Sequence, residues 1–412
     1  MENLMSPYYF FNYTLGEKRL KFDEHVVVTD VLVVGGGMAG CFAAIKAREK
    51  AKREGKELQV TLVDKGYVGK SGQTPFAGSF AVFNPKWNHK LDVWMGQVNT
   101  IGEYINNQEW TEIVFKDSYA RYRDLVSWGV EFLKGNDGEP YRSPHPLGAP
   151  SECIHWEPNF PQVLRKQVMA SGAKIMDRLM VIDLLKHDKK IVGAIGISMD
   201  SNNMYVFKAK ATVISAGGSG FKSFGWPIHE LTGDGEAMAY RAGAEIVGKE
   251  FIDTHSTRDE YPGYRTFPQP ESAYKVARSI PKIRWKIWNA EGDEVPLLSK
   301  GWPLSFELEF EAHAGRAPLF IKSLNGHRER VVGGAAAGLS VHSNAGIWPA
   351  DTKCAAAGLQ GLYAAGDSLG TMWLGAAYSG FGFATIFAAV TGARAGEGAA
   401  EYALQAEPPA VG

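Results

Sequence analysis

Residues Asp30 to Gly40 read DVLVVGGGMAG, an apolar run that breaks into glycines and then resumes as a helix-forming stretch, and this segment restricts the possible folds most. Gly35, Gly37 and Gly40 have the G-x-G-x-x-G spacing, which lets backbone approach a pyrophosphate closely and aims helix N–H groups and the helix dipole at it. The following stretch, Cys41 to Lys56, has the Ala, Ile, Arg and Lys content of a surface helix. Leu58 to Asp64, LQVTLVD, then returns as a second parallel strand, ending in an acid about 24 residues beyond Gly40, near the usual position for a carboxylate that accepts hydrogen bonds from an adenosine ribose. Strand, turn, helix, strand and acid in this order predict a cradle for an ADP-containing cofactor. The bland alternative is an ordinary βα turn in another doubly wound domain.

At 412 residues the chain suits two domains, or one large domain carrying an insertion. With 44 basic and 45 acidic residues, no overall field favours nucleic acid or an anionic membrane, so a small-molecule substrate must be recognised locally. Cys41, Cys153 and Cys354 are scattered without a C-x-x-C pair, which argues against a disulfide framework, a metal site and an iron-sulfur site of the chain's own. None has a basic neighbour in sequence that would lower its pKa, so all three are expected to be inert packing. The N-terminal stretch lacks the basic start and apolar core of a signal peptide, and no run of about 18 apolar residues follows, so the expectation is a cytoplasmic protein without a membrane span.

Further along, Gly66 to Asn84 reads as a Gly- and Ser-rich loop against the cofactor, too irregular for helix or strand. Apolar residues recur at helical spacing from Glu109 to Leu133, Gly135 to Pro150 reads as a surface loop, and Pro161 to Ala170 as another helix. Ala173 to Lys210 alternates short apolar runs with turn signals, as a β-meander does. Two more strands then end in glycine, Ala211 to Gly218 (ATVISAGG) and Gly361 to Asp367 (GLYAAGD), and Thr232 to Gly243 (TGDGEAMAYRAG) opens a helix. Between them, Phe251 to Arg330 has many prolines, three tryptophans and no βαβ rhythm. The predicted class is therefore α/β: a doubly wound, Rossmann-like FAD-binding domain of the glutathione-reductase type, interrupted by a capping domain. Its expected parts are residues 1–250, with a helical insertion at about 86–150, the capping or substrate domain at 251–330, and the returning cofactor domain at 331–412.

A nicotinamide enzyme needs only the first βαβ unit, whereas two further strand-to-glycine junctions suit a flavin, whose ring and ribityl chain need contacts far from the pyrophosphate. FAD is the predicted cofactor. VVGGGMAG, LVDKGYVGKSGQT, ISAGG, TGDGEAMAYRAGAE and GLYAAGD, in that order, resemble the flavoprotein subunits of the fumarate reductase, succinate dehydrogenase and adenylylsulfate reductase superfamily. That resemblance implies cofactor contacts from Gly35, Gly37, Met38, Ala39 and Gly40; from Asp64 and Lys65; from Ser71, Gly72, Gln73, Thr74 and Gly78; from Ala216, Gly217 and Gly218; from Thr232 and Asp234; and from Gly366, Asp367 and Gly382. Gly72 stands where members with covalent flavin place a histidine, so the FAD is expected to be non-covalent. The arginine-bearing motifs of the dicarboxylate enzymes are missing, and Tyr378 in GAAYSGFGF takes one arginine's place, which makes succinate and fumarate poor candidates.

SFAVFN ending in Asn84, FGWP with Trp226, WKIWNAEGDE, and HSNAGIW beginning at His342 resemble instead the adenylylsulfate reductase large subunit. Carried over, Asn84, Trp226, His342 and Arg258 would surround the flavin face where sulfur meets the ring. His255 is a further candidate, and Arg265 and Arg284 are fallbacks for the arginine. His342 is expected as general acid or oxyanion donor, Arg258 as an anion anchor, and Trp226 as an aromatic wall. Each has a bland alternative: a loop histidine, a solvated ion pair with Asp259 or Glu260, and a core tryptophan. The implied activity is two-electron chemistry at flavin N5 on a small anionic sulfur substrate, with electrons exchanged with a ferredoxin-like iron-sulfur protein. A rival reading is an ene or ketone oxidoreductase in which the Tyr378 phenol polarises a carbonyl, as the Y-x-G-x-G stretch of ketosteroid dehydrogenases does. Another is a flavin-bearing subunit without catalysis.

Overall fold

Val31 to Val34 form the buried end of β1 (Asp23–Val34), which runs between two parallel neighbours. On one side Val34 faces Val63 of β2 (Val60–Val63), and on the other it faces Ile214 of β9 (Asn203–Ile214). A strand covered on both faces needs apolar residues at every position, which is why the sequence here runs apolar without alternating. The computed structural model describes residues 22–144, 149–157, 159–219, 231–251, 257–258, 286–296, 310–311, 314–316, 319–322, 328–332, 343–380 and 382–407.

β6 (Lys174–Met176) lies parallel beyond β2, and β17 (Leu362–Ala364) lies parallel beside the end of β9. β7 (Leu179–His187) turns at Asp188 into β8 (Lys190–Ser198), which pairs antiparallel with β7 on one side and with the first part of β9 on the other. The sheet order is therefore β6-β2-β1-β9-β8-β7, with β17 off this path on β9. The meander expected from sequence is present. The strand expected from Ala211 begins instead at Asn203, because one twelve-residue strand closes the meander and also forms the centre of the parallel sheet.

The helix after β1 corrects the reading of a surface helix. α1 (Met38–Arg53) is buried from Met38 to Ala47, packed against the sheet, α4 (Phe160–Ala170) and α6 (Phe383–Gln405). A methyl group added at Gly392 would come within 2.4 Å of Ala39 O, and one at Gly396 within 2.2 Å of Ala43 O, so the two helices touch backbone to backbone. α2 (Leu91–Ile101) and α3 (Gln108–Trp128) form a helical layer next to α6.

Two stretches read as loops contain strands. β3 (Phe80–Ala81) lies in the segment expected to be irregular, and β4 (Arg142–Pro144) lies in the expected surface loop; both pair antiparallel with β5 (Glu152–Ile154). Strands this short carry no detectable period in the sequence. α5 (Asp234–Ala242) begins within the Gly-Asp-Gly sequence, with Gly233 as its left-handed N-cap, and β10 (Ile246–Val247) then pairs with β16 (Gly346–Ile347). Between those two strands lies a separate antiparallel sheet, ordered β11-β15-β14-β12-β13, of β11 (Thr257–Arg258), β12 (Lys286–Trp288), β13 (Glu294–Val295), β14 (Leu319–Lys322) and β15 (Arg328–Val332). The strands that flank this sheet in sequence, β10 and β16, are thus paired with each other.

Candidate functional site

The turn after β1 is shaped by its own packing. Gly35 has a φ of +103°, and a Cβ there would lie 2.3 Å from Ser215 O; one at Gly40 would lie 1.8 Å from Gly35 O. Gly37 differs, because its Cβ would meet only Thr74 Oγ1, at 3.1 Å. Two fingerprint glycines therefore let the turn close on β9 and on itself, and the third leaves a face open. Ser215 Oγ donates to Val34 O and Gly35 O, both at 2.9 Å, and Gly35 N donates to Val63 O at 2.8 Å.

At the start of α1, Met38 N donates to Thr74 Oγ1 at 2.9 Å, while the N–H groups of Gly37, Ala39 and Gly40 have no protein acceptor among the described residues. Three uncommitted donors at the positive end of a buried helix fit an anionic pyrophosphate.

Asp64, at the end of β2, accepts from Gly36 N through Oδ2 and from Gly66 N through Oδ1, both at 2.7 Å. Burial raises its pKa, against the pull of those N–H groups and of Ser71. Each carboxylate oxygen has further acceptor capacity, so the acid that braces two turns also suits ribose hydroxyls. Ser71 Oγ takes the Tyr67 N–H at 2.6 Å, which makes it a brace for this turn. Gly72 is left-handed, with nothing within 4 Å of an added Cβ. Beside Asp64, Lys65 Nζ lies 3.4 Å from Thr232 Oγ1 and from Asp234 Oδ2, linking β2 to the start of α5.

The other two strand ends meet this cradle. Ser368 Oγ donates to Gly217 O at 2.8 Å, Gly366 N to Thr391 Oγ1 at 2.9 Å, and Ser343 Oγ to Asp367 Oδ1 at 3.0 Å. An added Cβ on Gly218 would reach Asp367 Cβ at 3.4 Å. Nearby, the Glu236 carboxylate is 6% exposed and paired with Lys249, while its Oε1 has no hydrogen-bond partner among the described residues. Burial pushes its pKa up to about 7, with Lys249 pulling it down and Asp367 pushing it further up.

Of the residues expected near the flavin face, Asn84 is buried and caps the turn at 85–87, its Oδ1 accepting from Lys86 N at 3.0 Å. Its own N–H goes to His89 Nδ1 at 3.1 Å, and His89 Nε2 lies 3.1 Å from Glu152 Oε2. Tyr378 is buried just before α6, where its phenolic oxygen accepts the Ala384 N–H at 3.0 Å. Gly382 is the left-handed N-cap of α6, and its carbonyl accepts from Ala81 N at 3.2 Å. Trp226, His255, Arg265, Arg284 and His342 lie outside the described residues. Arg258 is in β11 opposite Val331, and its side chain lies outside them too.

Sequence reasoning missed the hydroxyls of Ser215, Ser368 and Thr391, which tie the strand ends together; Ser215 directly before the Ala-Gly-Gly was the available signal. Glu236 was hidden inside a recognised motif. Cys153 does have a basic neighbour, since His155 Nε2 lies 3.8 Å from its sulfur, yet burial pushes the thiol up to about 11 and it stays protonated. Burial raises Cys41 and Cys354 as well. Among the described residues no His, Cys, Asp and Glu group could hold a metal, and no helix is long and apolar enough to cross a membrane.

The FAD binding domain family model matches residues 30–258, more than half of the chain. The chain is similar to an uncharacterized FAD-dependent oxidoreductase of Methanocaldococcus jannaschii, 33% identical over 242 residues that make up 56% of this chain and 42% of that protein. It therefore spans less than half the length of that relative. Its fold is similar to the FrdA chain of E. coli quinol fumarate reductase, with a TM-score of 0.75 and 18% identity over 94% of this chain and 72% of that one. It is also similar to adenylylsulfate reductase from Archaeoglobus fulgidus, with a TM-score of 0.68 and 21% identity over 94% and 71%. At such identities the likeness is one of fold.

Proposed function

We propose, from the premise that this chain belongs to the FAD binding domain family, that it is an FAD-dependent oxidoreductase holding its flavin without a covalent bond and acting on a small sulfur oxoanion of the adenylylsulfate type. The observation that carries the cofactor reading is the meeting of three uncommitted α1 N–H donors with Asp64 and the glycine-rich ends of β9 and β17. Gly37, Ala39 and Gly40 would hold the pyrophosphate, Asp64 the ribose, and the Gly217 to Gly218 and Gly366 to Asp367 segments the ribityl side. Bound FAD supplies two-electron chemistry, while the protein supplies orientation, charge and exclusion of water.

The substrate reading rests on sequence, namely the missing dicarboxylate arginines and the segments around Asn84, Trp226 and His342. Ser343, the residue after His342 in sequence, is tied to Asp367. In this reading His342 donates a proton or hydrogen bond to the substrate oxyanion, with His255 as its alternate. Arg258 anchors the anion and Trp226 walls the pocket. Gly72 offers no nucleophile for a flavin tether. In this reading electrons are exchanged with a separate ferredoxin-like iron-sulfur protein, in keeping with a cysteine pattern that has no C-x-x-C pair.

Purified protein should be yellow, release intact FAD on acid precipitation, lose its visible band with sulfite, and turn over adenylylsulfate with a reduced low-potential donor. A colourless protein that takes up no added FAD overturns the cofactor reading. A yellow protein that does not bleach with sulfite, yet turns over an enone, overturns the sulfur substrate in favour of carbon chemistry.

A further inference from the structure

Three successive carbonyls between the cradle and β3 are each taken by a different side chain. Ala77 O accepts from Trp156 Nε1 at 2.7 Å, Gly78 O from His155 Nδ1 at 2.9 Å, and Ser79 O from Thr385 Oγ1 at 2.7 Å, a hydroxyl shared with Gly382 O. In a trans peptide the carbonyl and the following N–H point in opposite directions, so pinning Ala77 O and Gly78 O fixes the directions of the Gly78 and Ser79 N–H groups. Neither N–H has a protein acceptor among the described residues. Gly78 is exposed, and a Cβ there would meet nothing within 4 Å. All three carbonyls from Ala77 to Ser79 are taken within the protein while the two N–H groups between them are left open on an accessible stretch, so the strap offers oriented donors to a ligand. It runs from Thr74, which is bonded to the start of α1, to Ala81, which is bonded to the start of α6, so two positive helix ends flank it.

His155 is held at both nitrogens. Gly78 O can only accept, so Nδ1 carries the proton; Nε2 then accepts from Ser143 Oγ, 2.7 Å away. Burial lowers the His155 pKa, which suits this neutral tautomer.

We infer that His155, with Trp156, is a positioning residue that holds the Gly78 and Ser79 N–H groups toward the cofactor, where they favour the added negative charge of reduced flavin. This rests on the FAD reading above. The test compares FAD-loaded wild type, His155→Leu and His155→Asn by redox titration against a reference dye, with FAD affinity measured alongside. Leucine removes the donor to Gly78 O, whereas the asparagine amide can occupy the place of Nδ1. His155→Leu should lower the affinity for reduced relative to oxidised FAD about tenfold, a fall of about 30 mV for a two-electron couple, and His155→Asn should restore it. Trp156→Phe, which keeps an aromatic ring but releases Ala77 O and with it the Gly78 N–H, should shift the potential in the same direction if His155→Leu fails to fold. An unchanged potential in the leucine variant, or in Trp156→Phe where that variant stands in, overturns the inference alone. So does an asparagine variant shifted as far as the leucine one. A wild type that binds no FAD overturns both readings.

Discussion

Asp64 Oδ2 takes the Gly36 N–H at 2.7 Å, which fastens the end of β2 to the turn that follows β1. The same carboxylate holds Gly66 N, so one acid braces two turns of the cradle. Asp64→Ala leaves two backbone donors unpaired at a buried site, at about 1–3 kcal/mol each. The expected outcome is a loss of roughly 2–6 kcal/mol in urea unfolding and at least a tenfold loss of FAD affinity by fluorescence titration. Asp64→Asn keeps one acceptor and turns an N–H toward the other donor, so it should fall between.

Gly35 and Gly72 are both left-handed, but only Gly35 is crowded. Gly35→Ala places a methyl group 2.3 Å from Ser215 O, and the strain should cost several kcal/mol out of a typical total of about 5–15, abolishing soluble FAD-binding protein. Gly72→Ala has only the conformational cost, about 1–2 kcal/mol, and should remain folded and yellow. Thermal unfolding of the two variants separates steric from conformational strain.

Glu236 gives a pH dependence of definite sign. Its folded pKa, about 7, lies above the ordinary 4.5, so the folded state holds this proton more tightly. The contribution is complete below about pH 4.5 and is lost as pH rises through 7, at no more than about 1.4 kcal/mol per pH unit. His155 acts oppositely: its lowered pKa gives stability present above about pH 6.5 and lost as pH falls below it. Urea unfolding from pH 5 to 8 in wild type and Glu236→Gln isolates the contribution of Glu236, and the glutamine variant should lose the decline between pH 5 and 7.

Tyr378→Phe removes the acceptor for Ala384 N at the start of α6, at a cost of about 1 kcal/mol in chemical unfolding. Under the proposed sulfur chemistry, turnover of adenylylsulfate should change far less than the 10²–10⁴ that follows loss of a general acid. A drop of that size would return Tyr378 to the active site.

The cradle was legible because its chemistry is local: Gly35, Gly37 and Gly40 with Asp64 encode a turn, a close approach and a strand end within one βαβ unit. The meander was legible from period and turn residues alone. The burial of α1 was not, since Cys41 to Lys56 carries enough Lys and Arg to look solvated and its cover, α6, comes from the other end of the chain. Lys46 shows how the discrepancy resolves, as its buried ammonium lies 2.7 Å from Asp124 and 2.8 Å from Glu49. The strap at 77–80 was equally hidden, because its partners His155, Trp156 and Thr385 follow no spacing. Spacing reports period and backbone conformation; it does not name which distant side chain completes a hydrogen bond.

The contact of Gly392 and Gly396 with Ala39 and Ala43 has a consequence for biosynthesis. The first helix of the cofactor domain emerges from the ribosome long before the last one that covers it, so its apolar back stays uncovered through most of translation. A nascent chain that has made α1 but not yet Phe383 lacks this backbone-to-backbone cover, so flavin capture is expected only once the closing helix has been delivered.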